Sequence, residues 1–252
     1  MKICVIGLGK IGLPIAVHFA KMGNFVIGSD IIKATVDLIN SGNEPFPEEE
    51  NLQQFLNEVI RNKKLSATTD NMDAVSKSDI VVVVVPLFVD ANANPDFKAM
   101  DAVTRDIGKA LRKGMLISYE TTLPIGTTRE RFLPVLEELS GLKAGIDFNL
   151  VFSPERVLTG RVFSDLRKYP KIVGGVTESC TQAGVVFYSK AIEFDIRNDL
   201  PKPNGVWAMD SSESAEFVKL AETTYRDVNI GLANQFARFA NSMDLPVCVI
   251  ST

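Results

Sequence analysis

Lys2-Ile3-Cys4-Val5-Ile6-Gly7-Leu8-Gly9-Lys10-Ile11-Gly12 is the stretch that decides the fold of this chain. Its apolar residues 2–6 predict a buried β-strand, which leads directly into a G-x-G-x-x-G sequence that would open a helix. Gly7 permits the tight turn, Gly9 lets a pyrophosphate approach the backbone, and Gly12 lets the helix pack closely on the strand. Phosphates would then lie at the helix N-terminus, where unpaired N–H groups and the helix dipole favour anions.

An acidic residue follows this motif at an informative distance. Asp30 lies eighteen residues after Gly12, at the end of a second apolar run, Phe25–Ser29. A carboxylate there would accept hydrogen bonds from an adenosine ribose and would repel a 2′-phosphate. The sequence therefore predicts an NAD site that disfavours NADP. The alternative is a glycine-rich turn in another kind of α/β protein, but strand, helix and acid are all in register.

Composition limits the class of protein. Of 252 residues, 46% are hydrophobic and 23% are charged, which is ordinary for a soluble globular protein. The net charge of −4 argues against nucleic acid as the main partner. No apolar run reaches the roughly eighteen residues of a membrane span, and the first strand leaves no room for a signal peptide. The three scattered cysteines predict a cytoplasmic protein without a disulfide framework or a metal site.

Strand-like apolar runs alternate with helical patterns along the first two hundred residues. Every residue of Ile80–Val85 is β-branched, as expected of a central parallel strand that is covered on both faces. The alternation predicts a Rossmann-like, doubly wound α/β fold with a mostly parallel sheet. Strands are predicted near 2–6, 25–29, 80–85, 115–119, 149–152, 171–174 and 192–196, and helices near 11–22, 32–41, 51–61, 98–111, 127–139 and 178–190.

The pattern changes after this region. Asp199–Gly205 is rich in proline and glycine, which is typical of a linker, and residues 211–242 form one long helical pattern. Such a helix can carry side chains from one domain to another and exposes faces on which a homodimer could form. The predicted division is an NAD-binding domain at 1–198, a linker at 199–210, and the start of a truncated central helical domain at 211–252.

Besides the glycine loop, three loops follow predicted strands at the edge where ligands bind in such sheets. They are Val85-Pro86-Leu87, Glu120–Thr128 and Ser153–Arg161. On the long helix, Lys219, Thr223 and Arg226 share a face by their i, i+4, i+7 spacing. Taken alone, each loop is equally consistent with ordinary turn chemistry, and the helix face with a solvated, salt-bridged surface.

Five groups of residues occur in a fixed order along nearly the whole chain. The groups are Gly7–Pro14; Asp30 with Val36 and Ile39–Gly42; Thr122–Thr128; Pro154–Leu158; and Lys219–Glu222 running into Tyr225–Ile230. In combination they resemble the nucleotide-sugar 6-dehydrogenases, the family that includes UDP-glucose dehydrogenase. The forms at 154–158 and 225–230 are most similar to the UDP-N-acetylmannosamine dehydrogenase branch.

The resemblance implies an activity and roles for particular residues. The activity is NAD-dependent oxidation of the C6 alcohol of a UDP-sugar, with UDP-N-acetylmannosamine favoured, to the uronate used in polysaccharide biosynthesis. Lys219 would donate or accept the proton, Glu155 would position reacting water or the cofactor, and Thr122 would lie near the nicotinamide. The implied NAD contacts are Gly7, Gly9, Lys10, Ile11, Gly12, Asp30 and Thr122, and the implied substrate contacts are Arg156, Val157, Lys219 and Arg226.

The chain departs from the family pattern in several places. Leu87 and Thr223 stand where the family usually has a threonine and an asparagine, and Thr159 replaces a proline or glutamate. The family's nucleophilic cysteine should lie beyond residue 252, since Cys248 lacks the glycines that surround it. Leu245–Thr252 resembles the start of another buried element, so we expect an incomplete form of the enzyme.

Two other functions are compatible with parts of this pattern. A β-hydroxyacid dehydrogenase also pairs a Rossmann domain with a lysine on a long following helix. It does not explain Pro154–Val157 followed by Tyr225–Asp227. A non-catalytic NAD-binding fragment is the second alternative, because the expected nucleophile is missing from the printed sequence.

Overall fold

Strands and helices alternate throughout residues 1–245, which are the residues that the computed structural model describes. Of the predicted end segment Leu245–Thr252, residues 246–252, which include Cys248, lie outside them. In chain order the elements are β1 (Lys2–Ile6), α1 (Gly12–Lys21), β2 (Phe25–Ser29), α2 (Lys33–Asn40), α3 (Leu52–Arg61), β3 (Leu65–Thr68), α4 (Asn71–Ser76), β4 (Ile80–Val83), β5 (Phe88–Val89), β6 (Pro95–Asp96), α5 (Lys98–Ala110), β7 (Leu116–Tyr119), a π-helical segment (Thr127–Phe132), α6 (Leu133–Ser140), β8 (Asn149–Phe152), α7 (Val162–Lys168), β9 (Lys171–Gly175), α8 (Glu178–Ala191), β10 (Val206–Ala208) and α9 (Ser212–Ser242).

The main sheet has eight strands in the order β10-β9-β8-β7-β4-β1-β2-β3. Within this sheet, neighbouring strands from β8 through β7, β4, β1 and β2 to β3 are parallel. Strand β9 runs antiparallel to β8, and β10 is parallel to β9. The chain winds outward from β1 in both directions, so the strand order reverses between β1 and β4. This arrangement confirms the predicted Rossmann-like, mostly parallel fold followed by a long helix. It also makes the carboxyl ends of β1 and β4 the expected binding crevice.

The core lies on both faces of this sheet. Every residue of β4 is buried, because helices cover it on either side, and burial of each valine contributes about 1.5–3 kcal/mol. Helix α1 is buried from Gly12 to Ala20, which explains its nearly continuous apolar sequence. Tyr119 and Phe132 stack with ring centroids 4.4 Å apart, joining β7 to the π-helical segment.

Several short elements differ from the sequence prediction. The strand predicted at 192–196 is wrong: Ile192 follows the end of α8 and packs into the core, while Asp195 pairs with Arg167 at 2.9 Å. β10 lies inside the predicted linker 199–210 and adds a strand to the main sheet. The helix predicted at 127–139 begins as a π-helical segment. The sequence pattern did not predict β3, β10, α4, α7 or the β5–β6 hairpin, which are all short.

Helix α9 is fixed against the sheet by its first turns. The buried Glu216 carboxylate accepts hydrogen bonds from the Gly126 N–H at 2.6 Å and from the Thr128 N–H at 2.9 Å. The Thr128 hydroxyl donates to the same carboxylate at 2.6 Å. One turn earlier, Glu213 forms an ion pair with Arg129, which also donates to the Val176 carbonyl at 2.8 Å. These contacts hold the first turns of α9 against the start of the π-helical segment.

Glu216→Ala should destabilise the fold by about 2–4 kcal/mol, because it leaves two buried backbone N–H groups without an acceptor. Urea unfolding followed by circular dichroism measures this loss. Glu138→Ala, at an exposed position of α6, is the matched control and should unfold like the unmodified chain. Equal unfolding midpoints for the two variants would contradict the anchoring role of Glu216.

Candidate functional site

The glycine loop after β1 has room for a ligand at one position and none at the other two. Gly7 adopts a φ of 93°, and a Cβ there would lie 3.0 Å from the Val84 backbone. A Cβ on Gly12 would lie 1.8 Å from the Gly7 carbonyl oxygen. A Cβ on Gly9 would meet nothing within 4 Å. The first and third glycines are therefore required by packing, and the second leaves the open space that a pyrophosphate needs.

Asp30 lies beside this loop at the end of β2. Its carboxylate accepts a hydrogen bond from the Leu8 N–H at 2.8 Å and another from the Ile32 N–H at 2.9 Å. The parallel pairing of β1 with β2 produces this contact, because it brings both strand ends to the same edge. The carboxylate is thus held next to the glycine loop, as an acceptor for ribose hydroxyls requires.

The other predicted cofactor contacts surround the loop. Lys10 is half-exposed and pairs with Glu48 at 2.7 Å, while Ile11 packs partly against the core. Thr122 is exposed in the loop after β7, at the same edge of the sheet. Its neighbour Thr121 donates a hydrogen bond to the Val85 carbonyl at 2.6 Å, which ties that loop to the end of β4.

Lys219 on α9 reaches the loop that follows β8. Its ammonium donates a hydrogen bond to the Glu155 carbonyl oxygen at 2.5 Å. In the same loop, the Arg156 guanidinium binds both carboxylate oxygens of Glu222, at 2.8 and 3.0 Å, and donates to the Pro170 carbonyl at 3.1 Å. The structure therefore brings Lys219 to the adjacent residues Glu155 and Arg156, although Lys219 lies 64 positions after Glu155 in sequence.

The remaining predicted substrate contacts differ in exposure. Val157 is half-buried and packs against the core, whereas Arg226 is exposed on α9, one turn beyond Glu222. The Thr223 hydroxyl is turned back to its own helix and donates to the Lys219 carbonyl at 2.9 Å. Arg226 is thus the predicted substrate residue whose side chain is most open to solvent.

A buried ionic cluster lies beneath Glu155, and the sequence analysis did not recognise it. The Lys171 ammonium lies between the carboxylates of Glu120, at 2.8 Å, and Glu155, at 2.9 Å. Glu120 also accepts a hydrogen bond from the Tyr188 hydroxyl at 2.5 Å, and that hydroxyl is 2.7 Å from the Ser118 hydroxyl. The available signal was a charged residue at the end of each of two apolar strands, Glu120 after β7 and Lys171 opening β9.

Burial and neighbouring charges shift the pKa values in this cluster. Burial raises the pKa of Glu120 to about 7, although the attraction of Lys171 opposes that shift. Burial acts against the charge of Glu155 too, but Lys171 and the hydrogen bonds to its carboxylate outweigh it and lower the pKa of Glu155. Burial likewise opposes the charge of Lys171, but Glu120 and Glu155 together raise the pKa of Lys171.

Lys219 is perturbed in the direction that suits proton transfer. Burial lowers the pKa of Lys219, and the positive charges of Arg226 and Arg156 lower it further, while Glu222 and Glu155 partly oppose this. A lowered pKa increases the fraction of neutral amine, which can take a proton from a hydroxyl group and return it.

Neither cysteine described by the structure is an accessible nucleophile. Cys4 and Cys180 are both fully buried free thiols, and burial raises the pKa of Cys4 to about 12. Within residues 1–245 there is no cluster of three or more potential metal ligands. In the same part of the chain, no helix is long and apolar enough to cross a bilayer.

The fold, the glycine loop and Asp30 define an NAD-binding domain of the dehydrogenase type. The chain belongs to the UDP-glucose/GDP-mannose dehydrogenase family, whose NAD-binding domain matches residues 1–192. This finding confirms the family resemblance and the prediction of NAD as the cofactor.

Two relatives illustrate the match. The UDP-N-acetyl-D-mannosamine dehydrogenase of Pyrococcus horikoshii is 36% identical over 249 residues, which cover 98% of this chain and 56% of that protein. Its solved structure superposes with a TM-score of 0.88 at 34% identity, again covering 98% of this chain and 56% of that one. The GDP-mannose dehydrogenase of Pseudomonas aeruginosa superposes with a TM-score of 0.88 at 26% identity, covering 99% and 55%. The chain spans about half the length of the curated relatives that it matches.

Glu120→Gln tests the raised pKa of Glu120. A carboxyl group whose pKa rises from 4.5 to about 7 on folding stabilises the folded state most below pH 4.5. This contribution is lost as the pH rises through about 7. Between about pH 4 and pH 8, the unmodified chain should therefore lose about 1–3 kcal/mol of unfolding free energy relative to the variant. Urea unfolding across that range measures the difference, with Glu138→Gln as the exposed control. Parallel stability profiles for the unmodified chain and Glu120→Gln would refute this assignment.

Proposed function

We propose that this chain supplies the NAD site and the proton-transferring lysine of a nucleotide-sugar 6-dehydrogenase. The favoured substrate is UDP-N-acetylmannosamine, which is oxidised at its C6 alcohol to the uronate. The observation that carries the proposal is Lys219: it is partly buried, its pKa is lowered, and it lies against Glu155 at the ligand-binding edge of the sheet. The Pyrococcus horikoshii relative, named for this activity, supports the choice of sugar.

The cofactor contacts follow from the glycine loop. The open space at Gly9 and the N-terminus of α1 would receive the pyrophosphate, and Asp30 would accept hydrogen bonds from the adenosine ribose. Lys10 and Ile11 would contact the cofactor from the turn that follows. Thr122 would lie at the nicotinamide end. Bound NAD+ supplies the acceptor for the hydride that leaves C6.

The side chains around Lys219 would orient the sugar and move its proton. Neutral Lys219 would take the proton of the C6 hydroxyl, and protonated Lys219 would stabilise the negative charge that develops on that oxygen. The positive charge of Arg226, one helical turn from Glu222, would attract the diphosphate. Arg156 and Val157 would contact the sugar from the loop after β8. Glu155 would position Lys219 and the reacting water.

Oxidation to the uronate requires a second hydride transfer, which the family performs through a covalent thiol intermediate. The burial of Cys4 and Cys180 argues against either as that thiol. We therefore assign to residues 1–245 the cofactor site and the proton transfer, and leave the covalent step to residues outside them. Membership of the nucleotide-sugar family weighs against the β-hydroxyacid alternative.

We also propose an oligomeric state, a compartment and a biosynthetic role for the protein. Exposed apolar side chains on α9 from Tyr225 onward support a homodimer formed through this helix; they include Tyr225, Val228, Phe236 and Phe239. The free thiols of Cys4 and Cys180 support a reducing, cytoplasmic compartment. A uronate product supports a place in polysaccharide biosynthesis.

Binding measurements test the substrate directly. Isothermal titration in saturating NAD+ should show binding of UDP-N-acetylmannosamine, weaker binding of UDP-glucose, and none of a small hydroxyacid. Arg226→Ala should weaken binding of the UDP-sugar about tenfold, because it removes a charged contact to the diphosphate. Arg238→Ala, at an exposed position further along the same helix, is the control and should bind normally. Binding of the hydroxyacid alone would favour the rival class, and binding of NAD+ alone a non-catalytic module.

The cofactor preference is tested separately. Asp30→Ala should weaken NAD+ binding by about 1–3 kcal/mol and reduce the discrimination against NADP+, because the repelling carboxylate is lost. Asp37→Ala, at an exposed position of α2, should leave both affinities unchanged. Because Asp30 also accepts from Leu8, thermal unfolding of each variant checks that the loop remains folded. If the unmodified chain binds NAD+ and NADP+ equally well, the role of Asp30 is wrong.

A further inference from the structure

We propose that Lys171 is a positioning residue for the reaction. Its ammonium holds the Glu155 carboxylate turned into the sheet, and this leaves the Glu155 carbonyl oxygen directed at Lys219. The inference rests on the proposed function in one respect: it matters for catalysis only if Lys219 transfers the substrate proton.

The topology of the sheet brings Lys171 to the site. β9 runs antiparallel to β8, with Val151 opposite Gly175 and Phe152 opposite Gly174. Continuing that register past the last paired residues sets Lys171 opposite Glu155. The first residue of β9 therefore meets the loop that follows β8, at the edge where the parallel strands end. A parallel β9 would have put its first residue at the opposite edge of the sheet.

The contacts of Glu155 show what Lys171 does. One carboxylate oxygen accepts from Lys171 at 2.9 Å, and the other accepts from the Arg156 N–H at 2.7 Å. Both oxygens are therefore occupied beneath the loop. The backbone carbonyl of the same residue accepts the hydrogen bond from Lys219. The side chain and the carbonyl of Glu155 thus have separate partners, and the ion pair with Lys171 fixes the conformation that separates them.

Lys171 is itself held in place by Glu120. Its second partner, Glu120, has a side chain that is 0% exposed and is fixed by the Tyr188 hydroxyl. Without the ammonium, two carboxylates would be left close together in a buried site, which is strongly unfavourable. Glu155, with 11% of its side chain exposed, is the one that can turn toward solvent or take up a proton.

The pKa of Lys219 should respond to this change, although Lys219 is not one of the residues of the buried ionic cluster. The charged groups that face it are Glu222 and Arg226 on its own helix and Glu155 and Arg156 on the loop after β8. The ammonium of Lys219 is destabilised if Glu155 loses its negative charge. It is also destabilised if the Glu155 carbonyl no longer accepts its hydrogen bond. Either change should therefore lower the pKa of Lys219 further.

The experiment is an NMR titration of the ligand-free chain labelled with 13C at the lysine ε-carbons. Lys219→Arg identifies the Lys219 signal. Lys171→Met should lower the titration midpoint of Lys219 by roughly half to one pH unit. Lys171→Arg, which keeps a positive charge between the two carboxylates, should restore it. A purely structural lysine would change the thermal stability of the chain and leave this midpoint where it was.

Two tyrosine variants provide a second test in case Lys171→Met does not fold. Tyr188→Phe removes the hydroxyl that holds Glu120 and should lower the Lys219 midpoint by a smaller amount. Tyr119→Phe removes an equally buried hydroxyl, which bonds Thr104 at 2.7 Å away from the cluster, and should leave the midpoint unchanged. An unchanged midpoint in Tyr188→Phe and in folded Lys171→Met, or an equal shift in Tyr119→Phe, would overturn the proposal. Because the titration contains neither NAD+ nor sugar, its result is independent of whether UDP-sugars bind.

Discussion

The parallel pairing of β1 with both β2 and β4 is the constraint on which the rest of this structure depends. Because the chain winds away from β1 in two directions, the loops after β1 and β4 diverge and leave a crevice between them. The pairing with β2 brings Asp30 to the glycine loop, and the further parallel pairs β4–β7 and β7–β8 bring the ends of β7 and β8 to the same edge. Each group that we assign to cofactor or substrate lies on an element that ends there or crosses it.

Strand β9, which reverses the parallel pattern, also contributes to this edge. At this edge the six parallel strands all end. Because β9 runs in the opposite direction, it begins there, and its first residue is Lys171. Helix α9 then crosses the same region, and the Glu216 carboxylate fixes it to the start of the π-helical segment. The site is therefore built from loops whose positions are set by backbone hydrogen bonds, with one buried carboxylate fixing the helix that covers them.

The sequence alone predicted the parts of this site that depend on local pattern. The glycine motif, Asp30 and the long helix have characteristic spacing, so the fold and the cofactor could be predicted. The contact between Lys171 and Glu120 could not, because it joins residues 51 positions apart through an antiparallel register that no local pattern encodes. The strand expected at 192–196 failed for a related reason: Ile192 and Phe194 are apolar because they pack against the core from a loop.

The acceptor for the Lys219 ammonium is a main-chain carbonyl, and this has a consequence for how the site can change over evolution. A carbonyl oxygen is present whatever residue occupies position 155, and it neither gains nor loses a proton at any physiological pH. Substitutions at that position can therefore alter the carboxylate chemistry of the site while the lysine keeps its hydrogen bond, provided that another contact replaces the ion pair with Lys171 in holding the loop. Relatives with different side chains at this point could share the same lysine geometry and differ only in what they do with water and sugar.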